Sequence, residues 1–204
     1  MNDLQQALAD IGDIRTKIAA GATFQGLGPW TMATTGAAAF ALATAQTAWP
    51  TPTDDPTPFI AQWLALAAAA SLLIGLTMIT RARRHHGRLA QPMLINAFEH
   101  FMPFAAAGAM LCGIVVQCAP DMAWMLPGLW QVLIGLGLFA CQRFLPRSVV
   151  AIAVWYVASG NAVLLLSSDA RALSPWAMGI PFGLGQCLLA AALLIANSPH
   201  NDRP

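Results

Sequence analysis

Six apolar stretches, each long enough to cross a lipid bilayer, fill most of this chain between residues 30 and 196. They cover about residues 30–47, 59–79, 97–117, 122–140, 149–166 and 176–196. A bilayer span needs roughly 20 mostly apolar residues, and within the hydrocarbon layer a lone segment satisfies its backbone only as a helix. The expected fold class is therefore an all-α membrane protein with six transmembrane helices. Charge agrees with this: Asp, Glu, Lys and Arg make up 9% of the chain, against about 25% in an ordinary soluble domain. Hydrophobic residues reach 57%, more than a soluble domain of this size hides from water, so the first partner implied is the bilayer itself. A formal charge of +1 offers no basic stripe for a nucleic acid.

Basic residues set an orientation. Arg15 and Lys17 precede the first stretch, Arg81, Arg83, Arg84 and Arg88 follow the second, Arg143 and Arg147 follow the fourth, and Arg203 lies in the tail. The other side carries Asp54, Asp55, Asp121 and Asp169, with Arg171 as its one base. Because Lys and Arg gather on the cytoplasmic side, both termini are expected in the cytoplasm. Trp124 and Trp176 stand where an outer aromatic belt would lie, and Trp30 and Trp63 lie near opposite ends of their hairpin. The first twenty residues contain Asp3, Asp10 and Asp13 and no continuous apolar run, so they do not read as a secretory signal. The chain divides into a segment over 1–28, a bundle over 29–197 and a cytoplasmic tail over 198–204.

The even-numbered stretches begin alike. Pro58 precedes Gln62, Pro127 precedes Gln131, and Pro181 precedes Gln186 with one extra residue. The second and fourth continue as Leu73-Ile74-Gly75-Leu76 and Leu133-Ile134-Gly135-Leu136, while Gly36, Gly108 and Gly160 fall inside the odd ones. This pattern is compatible with three hairpin repeats. Proline costs little in a first helical turn. A glutamine one turn deeper either bonds across to a neighbouring helix, for about 0.6 kcal/mol, or lines a cavity that binds a ligand. Gly179-x-x-x-Gly183 and the small residues 105–108 permit close helix approach, within one chain or between copies. Pro103 and Pro181 lie inside spans and are expected to bend them.

Residues 3–20 read as an amphipathic helix, with Leu4, Leu8, Ile11, Ile14 and Ile18 at three- and four-residue steps. Helices that grip anionic lipid are rich in Lys and Arg, and this one is slightly acidic. It is expected to close the cytoplasmic face of the bundle or to dock on a cytoplasmic protein. The run Arg81-Ala82-Arg83-Arg84-His85-His86-Gly87-Arg88 is a topology signal and a candidate surface for lipid headgroups or an acidic partner.

Glu99 is the only glutamate in the chain. Asn96, Glu99, His100 and Pro103 share a helix face by spacing. Ionisable groups in a span are costly and mark functional sites by default. Glu beside His suits proton handling or binding of a polar ligand. Depth argues the other way: residues 89–118 would make about 45 Å of helix, longer than the hydrocarbon layer. Glu99 then lies just below the cytoplasmic interface, where Arg84, Arg143 or Arg147 could pair with it structurally.

Chemistry beyond this is sparse. Cys112, Cys118, Cys141 and Cys187 lie in or at the edge of spans without a Cys-x-x-Cys pair, and read as small apolar residues. The chain has no nucleophile elbow, phosphate loop or His-Glu-x-x-His pattern. A bis-histidine haem needs two histidines at depth, and only His100 qualifies. Ser167 and Ser168 stand beside Asp169 without a histidine on their side. No catalytic residue, metal or cofactor is expected.

Asp13-Ile14-Arg15-Thr16 with Phe24 and Gly28, and Leu126-Pro127-Gly128-Leu129-Trp130 with Gly135, resemble a group of uncharacterised bacterial integral membrane proteins. Members of that group are often encoded beside small winged-helix transcriptional regulators. The resemblance implies a regulatory or sensing role and supplies no catalytic residues. Two functional classes follow. One is a sensor that binds a small or lipophilic ligand in the bundle and signals to a cytoplasmic regulatory protein. The other is a small proton-coupled transporter using Glu99 and His100; a structural accessory subunit is the remaining option. Candidate ligand or proton sites are Asn96, Glu99, His100, Gln62, Gln131 and Gln186. Candidate lipid or partner contacts are Arg81, Arg83, Arg84 and Arg88, and further copies of the chain are a possible partner class.

Overall fold

A computed structural model of the chain describes residues 27–50, 55–86, 90–142, 145–166 and 173–197. Among these, all regular structure is helical. The helices are α1 (Pro29–Ala48), α2 (Thr57–His86), α3 (Ala90–Cys118), α4 (Leu126–Ala140), α5 (Val149–Leu166) and α6 (Pro175–Asn197), with a 3-10 segment, Pro120–Met125, before α4. The expected amphipathic helix over 3–20, Arg88 and the tail lie outside the described residues.

Helix starts follow local chemistry. Pro29 and Pro175 open α1 and α6, where a missing amide N–H costs nothing. At α2, the Asp55 carboxylate accepts the Thr57 amide N–H at 2.9 Å. The Thr57 hydroxyl and amide together hold that carboxyl below its usual range. The fourth apolar stretch begins as a 3-10 segment and turns α-helical only at Leu126. Pro127 explains the break, because its ring would clash with the Ala123 carbonyl in a continuous α-helix.

Five helical segments are long and apolar enough to cross a membrane: Thr57–Arg81, Glu99–Cys118, Pro120–Ala140, Val149–Leu166 and Pro175–Ala196. The first stretch forms a 20-residue helix but is not among them, because five threonines and Gln46 dilute its alanines. Four of those threonines turn their hydroxyls back onto their own helix: Thr34 to Trp30 O, Thr35 to Met32 O, Thr44 to Phe40 O and Thr47 to Ala43 O. That back-bonding leaves few polar groups in need of water.

Each helix packs against its neighbours in sequence, and α6 closes onto α1. The contacts are antiparallel. Gly128 early in α4 meets Gly160 and Leu164 late in α5, and Ala43 late in α1 meets Gly179 early in α6. Two clusters form the core. One gathers Met32, Leu138, Val149, Tyr156 and Leu193; the other gathers Ala43, Phe59, Trp63, Leu126 and Met178. Phe182 touches both, with ring centroids 5.7 Å from Tyr156 and 6.4 Å from Trp63.

Packing is uneven. The α4–α5 pair approaches so closely that a Cβ on Gly160 would stand 2.7 Å from the Gly128 carbonyl oxygen, and one on Gly135 2.8 Å from that of Ala153. In α1–α6, a Cβ on Gly36 would come within 3.0 Å of the Gly183 carbonyl oxygen. The expectation of close approach through Gly179 and Gly183 is thus met within the chain. By contrast only 17% of the span in α2 and 11% of that in α3 is buried, against 44% in α6. Gly75 and Gly113 on those outer helices have nothing within 4 Å of a built Cβ. Cys112 and Cys141 are buried as expected, whereas Cys118 and Cys187 are exposed; all four are free thiols. Cys118 ends α3, whereas Cys187, though exposed, sets its Sγ 3.2 Å from the position a Cβ would take on Gly36 of α1.

Gly160→Val should lower the thermal midpoint of the purified protein, with a cost of about 1–3 kcal/mol from overpacking against rigid backbone. Gly113→Ala should leave it unchanged or raise it, by up to about 1 kcal/mol of helix propensity. Equal losses in the two variants would refute this account of the packing.

Candidate functional site

Three of the chain's glutamines were expected to act alike, and the structure gives them three different settings. Gln62 is exposed on α2. Its Oε1 accepts a 2.7 Å bond from Gln46 Nε2, while Gln46 Oε1 accepts the Trp63 indole N–H at 3.0 Å. Gln46 is 4% exposed, so this bridge is an interhelical tie between α1 and α2.

Gln131 is completely buried. Its Nε2 donates to the Ala177 carbonyl of α6 at 2.9 Å. Ala177 lies four residues before Pro181, inside α6. Proline has no N–H, so it strands that carbonyl. In a dry bundle a stranded carbonyl is expensive, and a neighbouring helix commonly supplies the donor. Gln131 does this from α4. The Pro181 carbonyl is gripped in turn by the Trp155 indole N–H of α5 at 3.1 Å. The proline turn of α6 is therefore braced from two helices.

Gln131 Oε1, Gln186 Oε1 and the Tyr156 hydroxyl are buried without a hydrogen-bond partner. Tyr156 is 1% exposed, midway along α5. Its ring fills the space left by Gly185, where any Cβ would collide with it. The Gln186 side chain and the Cys187 thiol lie beside its hydroxyl, but Gln186 does not align for a true hydrogen bond. Asp55, Arg81, Arg83, Arg84, Asp121 and Arg147 lie near helix ends or in the connections, whereas Glu99 lies within α3. Two amide oxygens and one phenol are thus buried on α4, α5 and α6, with Gln186 beside Tyr156 and Gln131 at Ala177, roughly 13 Å away along α6 by helical rise. Such buried polar atoms are few in folded proteins and call for a partner.

The span-three cluster sits elsewhere. Glu99 opens the apolar part of α3 and is exposed; His100 is half-buried. The side chain of Asn96, and Arg143, lie outside the described residues. Arg81 is half-buried at the end of α2, with its Cδ 3.5 Å from the position a Cβ would take on Gly28, and Arg83 and Arg84 are exposed. No three metal-ligating side chains come together among the described residues.

Two open apolar grooves border the bundle. One, of about 230 Å³, lies between α2 and α3 at Ile60, Leu64, Cys112 and Gly113. The other, of about 430 Å³, lies between α5 and α6 at Trp155, Ser159, Trp176, Ile180 and Pro181. Ala177 also lines the second groove, so it adjoins the carbonyls held by Gln131 and Trp155. Only this groove falls within the size range of small-molecule sites, about 300–1,000 Å³.

Sequence reasoning passed over Tyr156, Gln46 and Trp155. One signal was available, since Tyr156 is the only tyrosine and sits in the middle of an apolar span. The roles of Gln46 and Trp155 depend on which helix each faces.

Gln131→Met should destabilise the protein by about 1–3 kcal/mol, because it strands the Ala177 carbonyl. In a Pro181→Ala background the helix regains its own donor and the same change should cost much less. A double-mutant cycle on thermal unfolding measures the difference. Strict additivity would show that Gln131 does not compensate the proline.

The chain matches no protein-family model, no curated protein and no solved structure.

Proposed function

We propose that this chain is a sensing or regulatory protein of a bacterial inner membrane, which binds a small or lipophilic ligand in its bundle and passes its state to a cytoplasmic partner. The supporting observation is the set of buried, unpartnered polar atoms at Gln131, Tyr156 and Gln186 on three packed helices, with an open apolar groove adjoining Ala177, to which Gln131 bonds. A purely structural bundle gains nothing from unpaired amide oxygens in its core, whereas a ligand with matching donors would satisfy them.

In this reading all six helices cross the bilayer, with both termini cytoplasmic. Trp30 and Trp49 support a span for α1. They flank it at opposite ends, are 76% and 78% exposed, and stand about 28 Å apart along the axis. That is close to the thickness of the hydrocarbon layer, with indoles placed as interface anchors. The arginine side of the molecule faces the cytoplasm and the regulatory partner. The three hairpins would descend from one repeat whose glutamines have since taken different tasks. Proton-coupled transport through Glu99 and His100 ranks second, since the exposed Glu99 sits on the helix least buried in the bundle.

Mass spectrometry of small molecules released from the purified protein tests the first reading. A stoichiometric compound is expected from wild type and should be lost from Tyr156→Phe, which keeps the ring and the fold. No retained compound in either sample, together with proteoliposome flux that Glu99→Gln abolishes, would replace sensing by transport.

A further inference from the structure

The α5–α6 groove and the unpartnered oxygen of Gln131 lie on either side of Ala177. The groove lies between two helices, and Ala177 of α6 is part of its wall. Gln131 reaches Ala177 from α4, which packs against both helices of the groove. Its amide therefore lies on the inner side of the wall whose outer side faces the groove. The amide nitrogen is committed to the Ala177 carbonyl, and the amide oxygen has no partner and no exposure.

The groove itself is lined by carbon: Trp155, Ala158, Val163, Trp176, Ile180 and Pro181 surround it. Ser159 is its one hydroxyl, and that donates to the Tyr156 carbonyl of its own helix at 3.2 Å. No charged side chain among the described residues lines it. An ionic headgroup would find no counter-charge there and would pay the full cost of leaving water. A molecule with only carbon and ether oxygen would leave Gln131 Oε1 unsatisfied.

We propose that the ligand is an uncharged amphiphile drawn laterally from the bilayer, whose apolar tail lies in the α5–α6 groove and whose hydroxyl donates to Gln131 Oε1. This rests on the ligand-binding reading above and narrows it to one chemical class. Insertion of the hydroxyl behind Ala177 bears on the hydrogen bond by which Gln131 closes the gap left by Pro181, so the same event that seats the ligand acts on α6.

Tryptophan fluorescence of the full chain in lipid nanodiscs reads occupancy, since Trp155 and Trp176 wall the groove. Three probes of equal tail length separate the chemistry: tetradecan-1-ol, its methyl ether and tetradecanoate. The alcohol is expected to bind about 10-fold more tightly than the ether, the scale of one buried neutral hydrogen bond. Gln131→Met should bring alcohol and ether to equal affinity. Ile180→Trp, which fills the groove from its lipid-facing edge and leaves the polar core untouched, should abolish binding of both. Equal affinity of alcohol and ether for wild type, tighter binding of tetradecanoate, or full alcohol binding by Ile180→Trp would each overturn the proposal. If no probe binds while the purified protein still carries a compound that Tyr156→Phe loses, the amphiphile assignment fails and the ligand-binding reading stands.

Discussion

Pro181 removes one amide donor from the interior of α6, and the carbonyl it strands at Ala177 is closed by Gln131 from another helix. Much of the architecture follows from that exchange. A helix in lipid has no water to repair a missing backbone bond. The proline therefore demands a buried polar side chain at one depth on one neighbouring helix. Trp155 supplies a second tie at the Pro181 carbonyl. Together they fix where α4 and α5 stand relative to α6, and they bring Tyr156 against Gly185 and Gln186. Bracing the proline turn leaves three buried polar atoms on these helices without partners, Gln131 Oε1, Gln186 Oε1 and the Tyr156 hydroxyl.

Close packing through glycine sets the rest. In lipid, helices gain little from excluding apolar surface, so contact area and backbone approach decide which pairs are tight. Gly128, Gly135 and Gly160 let α4 and α5 touch backbone to side chain, and Gly36, Gly179 and Gly183 do the same for α1 and α6. The outer helices α2 and α3 carry glycines too, at Gly75 and Gly113, but on faces that meet nothing. A small residue permits approach and does not compel it. The tie between α1 and α2 is instead polar, through Gln46, Gln62 and Trp63.

Function is best sought where polarity is buried without charge. Glu99 drew attention as the only glutamate, yet it stands exposed on α3, at the edge of the apolar run. The unpaired neutral atoms on α4, α5 and α6 are the costlier arrangement, because they are buried without partners.

The sequence alone determined the helices. The described bounds fall close to the apolar stretches, since length and apolarity are summed along a contiguous segment and need no knowledge of neighbours. Proline positions were equally legible, including the first-turn prolines. The late start of α4 at Leu126 was also written there, in Pro127, though the apolar run concealed it. Tertiary structure decided which residues serve which task. Gln62, Gln131 and Gln186 look alike in the sequence, each about a turn after a proline. Only the helix facing each one made the first a surface tie, the second the partner of a stranded carbonyl and the third the neighbour of Tyr156. In the same way Ala177 is one alanine among many until Pro181 and Gln131 meet at its carbonyl. A hydrogen bond between helices depends on their rotation and depth, and neither quantity is encoded in any single span.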